Sequence, residues 1–174
     1  MDSKANPQAQ CHCQAYGDLL LNIESIEKRM LEFKDMRRHL KQIAQKVVEP
    51  GWEHYRLYKC EICGQLWQGC LSTIIDDGWY LFRIPSTTQK AWKEDPFVCP
   101  DTIVGYISDR NEYLSQEFQY KKEKCKTNGC SKLAIVGSVH CEFHLFESLS
   151  KAGGVRKQPK GRWFGPYSEQ AIYP

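Results

Sequence analysis

Apolar residues recur at Leu19, Ile23, Ile26, Met30, Phe33, Leu40, Ala44 and Val47, in a run free of Pro and Gly. Spaced in this way, with Asp18 as N-cap and Pro50-Gly51 as stop, they predict one long amphipathic helix. Arg37 interrupts its seam, and basic residues gather in its second half. About thirty residues at about 1.5 Å each make a rod near 45 Å. A small core covers only part of such a rod. The first expectation is an amphipathic helix folded against its own sheet. The alternative is that part of the seam packs on a partner or a second copy, with dimerisation through the helix.

The period then changes. "HYRLYKC" alternates as a strand does, and "LWQGCLSTII" and "WYLFRIP" flank Asp76-Asp77-Gly78, a strong hairpin turn. Together these predict a three-stranded antiparallel meander. "STTQKAWKEDPFVCP" reads as a short helix and a loop, and Asp101 opens a further helix with Ile103, Tyr106, Ile107, Tyr113 and Leu114 on its apolar side. The fold class is α+β: a zinc-stabilised small antiparallel sheet with a long N-terminal helix, plus a C-terminal Cys3His zinc-finger-like module. The expected domains are 1–100, the sheet with its inserted helix; 101–150, a helix and the second module; and 151–174, a basic aromatic tail.

Nine cysteines in 174 residues decide the chemistry. An odd count behind a polar start, "MDSKANPQAQ", with no signal-like apolar run, argues against a disulfide framework. It points to reduced thiols, a cytoplasmic location and no membrane span. Cys125, Cys130, Cys141 and His144 follow a C-x4-C-x10-C-x2-H spacing. Tetrahedral zinc takes four such donors from two short segments. Gly129 allows a tight turn before Cys130, and Cys141 and His144 fall on one face of a helical turn. His140, directly beside Cys141, would point away from the same ion.

Cys60-Glu61-Ile62-Cys63-Gly64 has the form of a zinc knuckle, in which Gly64 supplies the positive φ that closes the turn. A knuckle gives only two ligands. Cys11, Cys13, His54, Cys70 and Cys99 are the candidates for the rest. Cys11 and Cys13, alternating along an extended segment, project to one side, and we expect them to complete a four-cysteine site. Cys70 and Cys99 then read as buried free cysteines, and His12 as solvent-facing.

Two saturated zinc ions are structural, because catalysis needs a position open to water or substrate. No nucleophile elbow, phosphate loop or dinucleotide fingerprint occurs. His39 lies among arginines, His54 opens a strand, and Asp76 and Asp77 belong to a turn. Nothing here assembles a general acid and base, so the chain is not expected to be an enzyme.

The net charge of +3 is uneven. From Ser150 onward five basic residues face one acid, so the tail carries +4 and the body −1. The tail reads either as an arm that orders on a partner or as a strap whose Trp163, Phe164, Tyr167 and Tyr173 return to the body.

At "CHC…HYRLYKCEICGQLWQG…WYLFRIP" the chain resembles small bacterial zinc-ribbon proteins with a Tyr-x-Cys-x-x-Cys-Gly-Gln-x-Trp core, some of which look like immunity proteins encoded beside antibacterial toxins. The likeness covers about the first half. "CKTNGCSKLAIVGSVHCEFH" is similar to a generic Cys3His finger of bacteria and phages. The resemblance implies a non-catalytic binder of a cognate protein partner, a toxin domain first among them. Trp52, Tyr55, Trp67, Trp79 and Trp92 could serve as interface anchors or as core. The alternative is a zinc-dependent nucleic-acid-binding regulator, using the lysines around the second module and "RKQPKGRWF".

Overall fold

The computed structural model describes residues 11–48, 53–75 and 78–171. Its contacts divide the chain into two units, residues 1–102 with 161–174 and residues 103–160.

The first unit is built on a sheet of four antiparallel strands, β1 (Lys41–Val48), β2 (Glu53–Lys59), β3 (Leu66–Leu71) and β4 (Trp79–Ile84), in sequential order. The meander forms at the expected places; Asp76 and Asp77 of its turn lie outside the described residues. β1 is a correction. The helix α1 covers only Ile23–Arg38, 16 residues, and the second half of the expected rod is a strand paired with β2. Leu40, Ala44 and Val47 fit both a helical and an alternating spacing. Pairing decides between them, because the edge of β2 offers a ladder of backbone bonds and β-branched Ile43, Val47 and Val48 suit a pleated surface. The N-cap also moves. Asn22, not Asp18, accepts the Ser25 N–H at 2.8 Å. The rod on which dimerisation was to rest does not form.

β3 is buried along nearly its whole length, so both faces of the sheet are covered. On one face α1 packs against β4, and Met36, Tyr58, Trp67 and Leu81 form a core with Cys13 and Cys60. Gly69 lets these rings close: a Cβ there would stand 3.1 Å from Leu81 and 3.2 Å from Tyr58. On the other face Gln68, fully buried, acts as a polar hub. It donates to the Phe97 carbonyl at 2.6 Å and accepts from the Trp92 indole at 2.8 Å and the Phe97 N–H at 3.0 Å. A buried amide so satisfied fixes α2 (Gln89–Glu94) and the segment after it. Beside it Cys70 and Cys99 form a disulfide, and do not stay free.

The C-terminal tail returns to this unit. Arg162 pairs with Phe97 as a short parallel bridge, and Phe164 and Tyr167 pack on Phe82. The Tyr167 hydroxyl, buried, donates to the Leu19 carbonyl and accepts from the Leu19 N–H. Trp67 and Trp92 are core, Tyr55 and Trp79 are half-buried, and Trp52 lies outside the described residues.

The second unit holds most of α3 (Pro100–Leu114), a two-stranded sheet of β5 (Tyr120–Lys124) and β6 (Leu133–Ile135), and α4 (Glu142–Ala152). Tyr106, Tyr113 and Phe146 form its aromatic centre. Among the described residues no helix is long and apolar enough to cross a membrane.

Candidate metal centres

Cys60 leaves β2 and a tight turn follows. The Gly64 N–H bonds the Cys60 carbonyl, and Gly64 has φ +77°, a conformation that favours glycine. Gln65 then ties the turn to the sheet by donating to the Ile84 carbonyl at 3.1 Å. Opposite lies Cys11–Ala15, the arm that carries the other two thiols. Two arginines hold it. Arg83 donates to the carbonyls of Cys13 and Tyr16, each at 3.1 Å, and Arg29 to Gly17 at 2.9 Å and Leu81 at 3.1 Å. The chain's cations here serve backbone oxygens, and sequence reasoning missed both residues because nothing in their spacing signals it.

In consequence the sulfurs of Cys11, Cys13, Cys60 and Cys63 all lie within 4.8 Å of one another. Thiolates about 2.3 Å from one tetrahedral ion stand about 3.8 Å apart, and a thiolate–imidazole edge is about 3.6 Å. The Cys11–Cys60 separation is 3.9 Å. His54, Cys70 and Cys99 take no part. His12 is exposed and its ring lies 4.5 Å from that of His39.

The second group, Cys125, Cys130, Cys141 and His144, meets the same 4.8 Å limit. Cys125 directly follows β5, Gly129 with φ +78° turns the chain into Cys130, and Cys141 is the N-cap residue of α4 with His144 one turn on. Cys130 and Cys141 are 3.8 Å apart, and His144 Nδ1 stands 3.4 Å from Cys125 and 3.2 Å from Cys141. His140 does not point away as expected: its Nδ1 stands 3.2 Å from the Thr127 hydroxyl and 4.0 Å from the Cys125 sulfur, at the edge of the group.

The thiols are poised unequally. Burial raises Cys60, but the N–H groups of Cys63 and Ile62 and two neighbouring thiols outweigh it and bring it down to about 7. At Cys125 burial is overcome by the Thr127 hydroxyl, the Cys141 and Thr127 N–H groups and the His140 ring, and the thiol falls to about 5. Burial keeps Cys13 high and holds Cys141 up to about 11. Cys60 and Cys125 are thus the thiols whose surroundings favour the thiolate, the form that binds a metal. All eight residues singled out from the sequence are brought together in two groups that could hold metal ions, and the remaining two cysteines are bonded to each other. Each group supplies four protein donors, which fills a tetrahedron. No family model, curated protein or solved structure matches this chain.

Proposed function

We propose that the chain is a non-catalytic binding protein, stabilised by two structural zinc ions, that occludes a cognate protein partner. The observation that supports this reading best is the saturation of both donor sets by protein. Thiolate-rich tetrahedra select zinc over hard cations, and an ion so enclosed keeps no site for water or substrate. Its contribution is folding free energy, on the order of 10 kcal/mol or more per site. Occlusion asks only for a rigid surface of about 800 Å² per partner. The immunity-protein resemblance makes a bacterial toxin domain the partner to test first.

Protein is preferred to nucleic acid because Arg162, Phe164 and Tyr167 of the basic aromatic tail are spent internally. The Arg162 guanidinium lies 4.1 Å over the Phe97 ring and donates to the Asp95 carbonyl at 2.7 Å, and Phe164 packs with Phe97 and Phe82. The test is to express the neighbouring reading frame of the source genome with and without this chain. Relief of growth arrest, and a stable complex of the two proteins on size exclusion, are expected. Two zinc equivalents per purified chain are expected by elemental analysis. A chain with no zinc, or one with no effect on any neighbouring product, refutes the reading.

A further inference from the structure

The two donor groups differ in how they meet solvent. In the first, Cys13 and Cys60 are buried and Cys11 is half-buried, but Cys63 is exposed. Glu61, Ile62 and Gly64 around it are exposed as well, Ile62 to 53%. Cys63 also lines an open cleft of about 1300 Å³ at one end of the four-stranded sheet, with Lys59, Gln65, Ile84 and Thr87 among its walls. In the second group no thiol is exposed: Cys125 and Cys141 are buried and Cys130 is half-buried. Cys70 and Cys99 are bonded to each other and have no thiol to give.

Oxidation of a cysteine needs the thiolate and access to it. A zinc-bound cysteine is a thiolate already, so access separates the free cysteines of the two groups, and it singles out Cys63. A second sulfur must then stand close enough to resolve the first product. Those of Cys11, Cys13 and Cys60 all lie within 4.8 Å of the Cys63 sulfur. The first group therefore pairs a sulfur that an oxidant can reach with three that can answer it.

We infer that Cys63 is a peroxide-sensitive modification site, through which oxidation empties the first metal group while the second keeps its ion. The inference rests on the two-zinc reading above and names the residue at which one ion is lost. The Cys63 thiolate attacks one oxygen of hydrogen peroxide. An S–O bond forms, the O–O bond breaks, and the departing hydroxide takes a proton and leaves as water. A neighbouring thiolate of the group then attacks the Cys63 sulfur. An S–S bond forms, and a second hydroxide departs as water with another proton. Two thiolates have given up two electrons, and one peroxide has become two waters. Only two donors remain, too few to enclose a tetrahedral ion, and zinc leaves.

The test treats the zinc-loaded full chain with hydrogen peroxide in small steps and follows released zinc with a chromogenic chelator. Peptide mapping after differential alkylation locates the new disulfide at each step. The expected result is release of one ion first, with Cys63 bonded to Cys11, Cys13 or Cys60 and with Cys125, Cys130 and Cys141 still reduced. A thiol reductant with fresh zinc should restore the original content. Cys63→His keeps four donors and is expected to slow this release about tenfold or more. Should that variant hold only one ion, mapping of the wild type decides alone. Release from the second group first, equal release from both, or a first disulfide without Cys63 overturns the inference and leaves the zinc reading standing. A purified chain with no zinc refutes the zinc reading instead, and the order in which peroxide consumes the free thiols then decides for or against Cys63.

Discussion

Gly161→Ala should detach the C-terminal strap from the first unit. A Cβ at this position would stand 2.8 Å from the Pro96 carbonyl oxygen, 2.8 Å from the Val98 nitrogen and 3.1 Å from the Phe97 carbonyl carbon. All three are backbone atoms, so no side-chain rotation relieves the contact. They also belong to the bridge itself, since the Arg162 N–H bonds Pro96 at 2.9 Å and the Val98 N–H bonds Arg162 at 3.1 Å. Gly161 has φ +126° besides. The backbone conformation costs an L-residue about 1–2 kcal/mol, and loss of one or both bridge bonds adds about 1–2 kcal/mol. A total near 3 kcal/mol lowers the melting temperature by roughly 10 °C in a domain of this size. Gly165→Ala is the control. It has φ +35° but nothing within 4 Å of its Cβ, so only the backbone share, about 1–2 kcal/mol, applies. Thermal melting with limited proteolysis between Lys160 and Tyr167 reads both variants. Equal melting of the two, or no new cleavage in Gly161→Ala, would falsify the account of the strap.

Three further outcomes follow from other parts of the molecule. The Cys70–Cys99 bond spans a sequence separation of 29, and closing a loop of that length in the unfolded chain contributes about 3–4 kcal/mol. Cys70→Ala/Cys99→Ala should lose that much in denaturant titration, and intact mass under non-reducing conditions should show two cysteines bonded. Arg83→Met keeps the packing but removes the N–H groups that hold the Cys13 and Tyr16 carbonyls. We expect about 10–100-fold weaker zinc retention at the Cys11–Cys13–Cys60–Cys63 site and unchanged retention at the other, measured by chelator competition. Burial raises Asp101 above its ordinary value of 3.8, although Tyr80 and Thr73 donate to it. A raised group stabilises fully below its unfolded value and loses that contribution as pH rises through its folded value. Asp101→Asn should therefore flatten the wild-type decline in stability above pH 4, read from melts across pH 4–7.

What was legible in the sequence was local. Cys60 with Cys63, and Cys141 with His144, are donor pairs fixed by a turn and by a helical turn, so spacing alone announces them. The positive φ at Gly64 and Gly129 follows from the same local geometry. The strand Glu53–Lys59 was legible from its alternation, and the strands around Trp67 and Phe82 from the Asp-Asp-Gly turn signal between them. Leu40, Ala44 and Val47 satisfy both periods, and the tie is broken by the edge of β2, a long-range partner that periodicity does not contain. The disulfide was hidden for a similar reason. Cys70 reaches Cys99 because Gln68 draws the Phe97 segment onto β3. In the tail, spacing left arm and strap undecided, because the packing of Phe164 and Tyr167 on Phe82 is a long-range contact.

Residues 103–160 are too few to bury a large core, so packing alone leaves this unit little reserve. Its Cys125, Cys130, Cys141 and His144 could hold a metal ion, and a zinc ion closed in such a set contributes on the order of 10 kcal/mol of folding free energy. Treatment of the purified chain with a chelator should therefore unfold this unit, with loss of helix signal by circular dichroism and new cleavage in the segment from β5 to α4 on limited proteolysis. A unit that stayed folded after chelation would show that its aromatic centre, Tyr106, Tyr113 and Phe146, has the reserve after all.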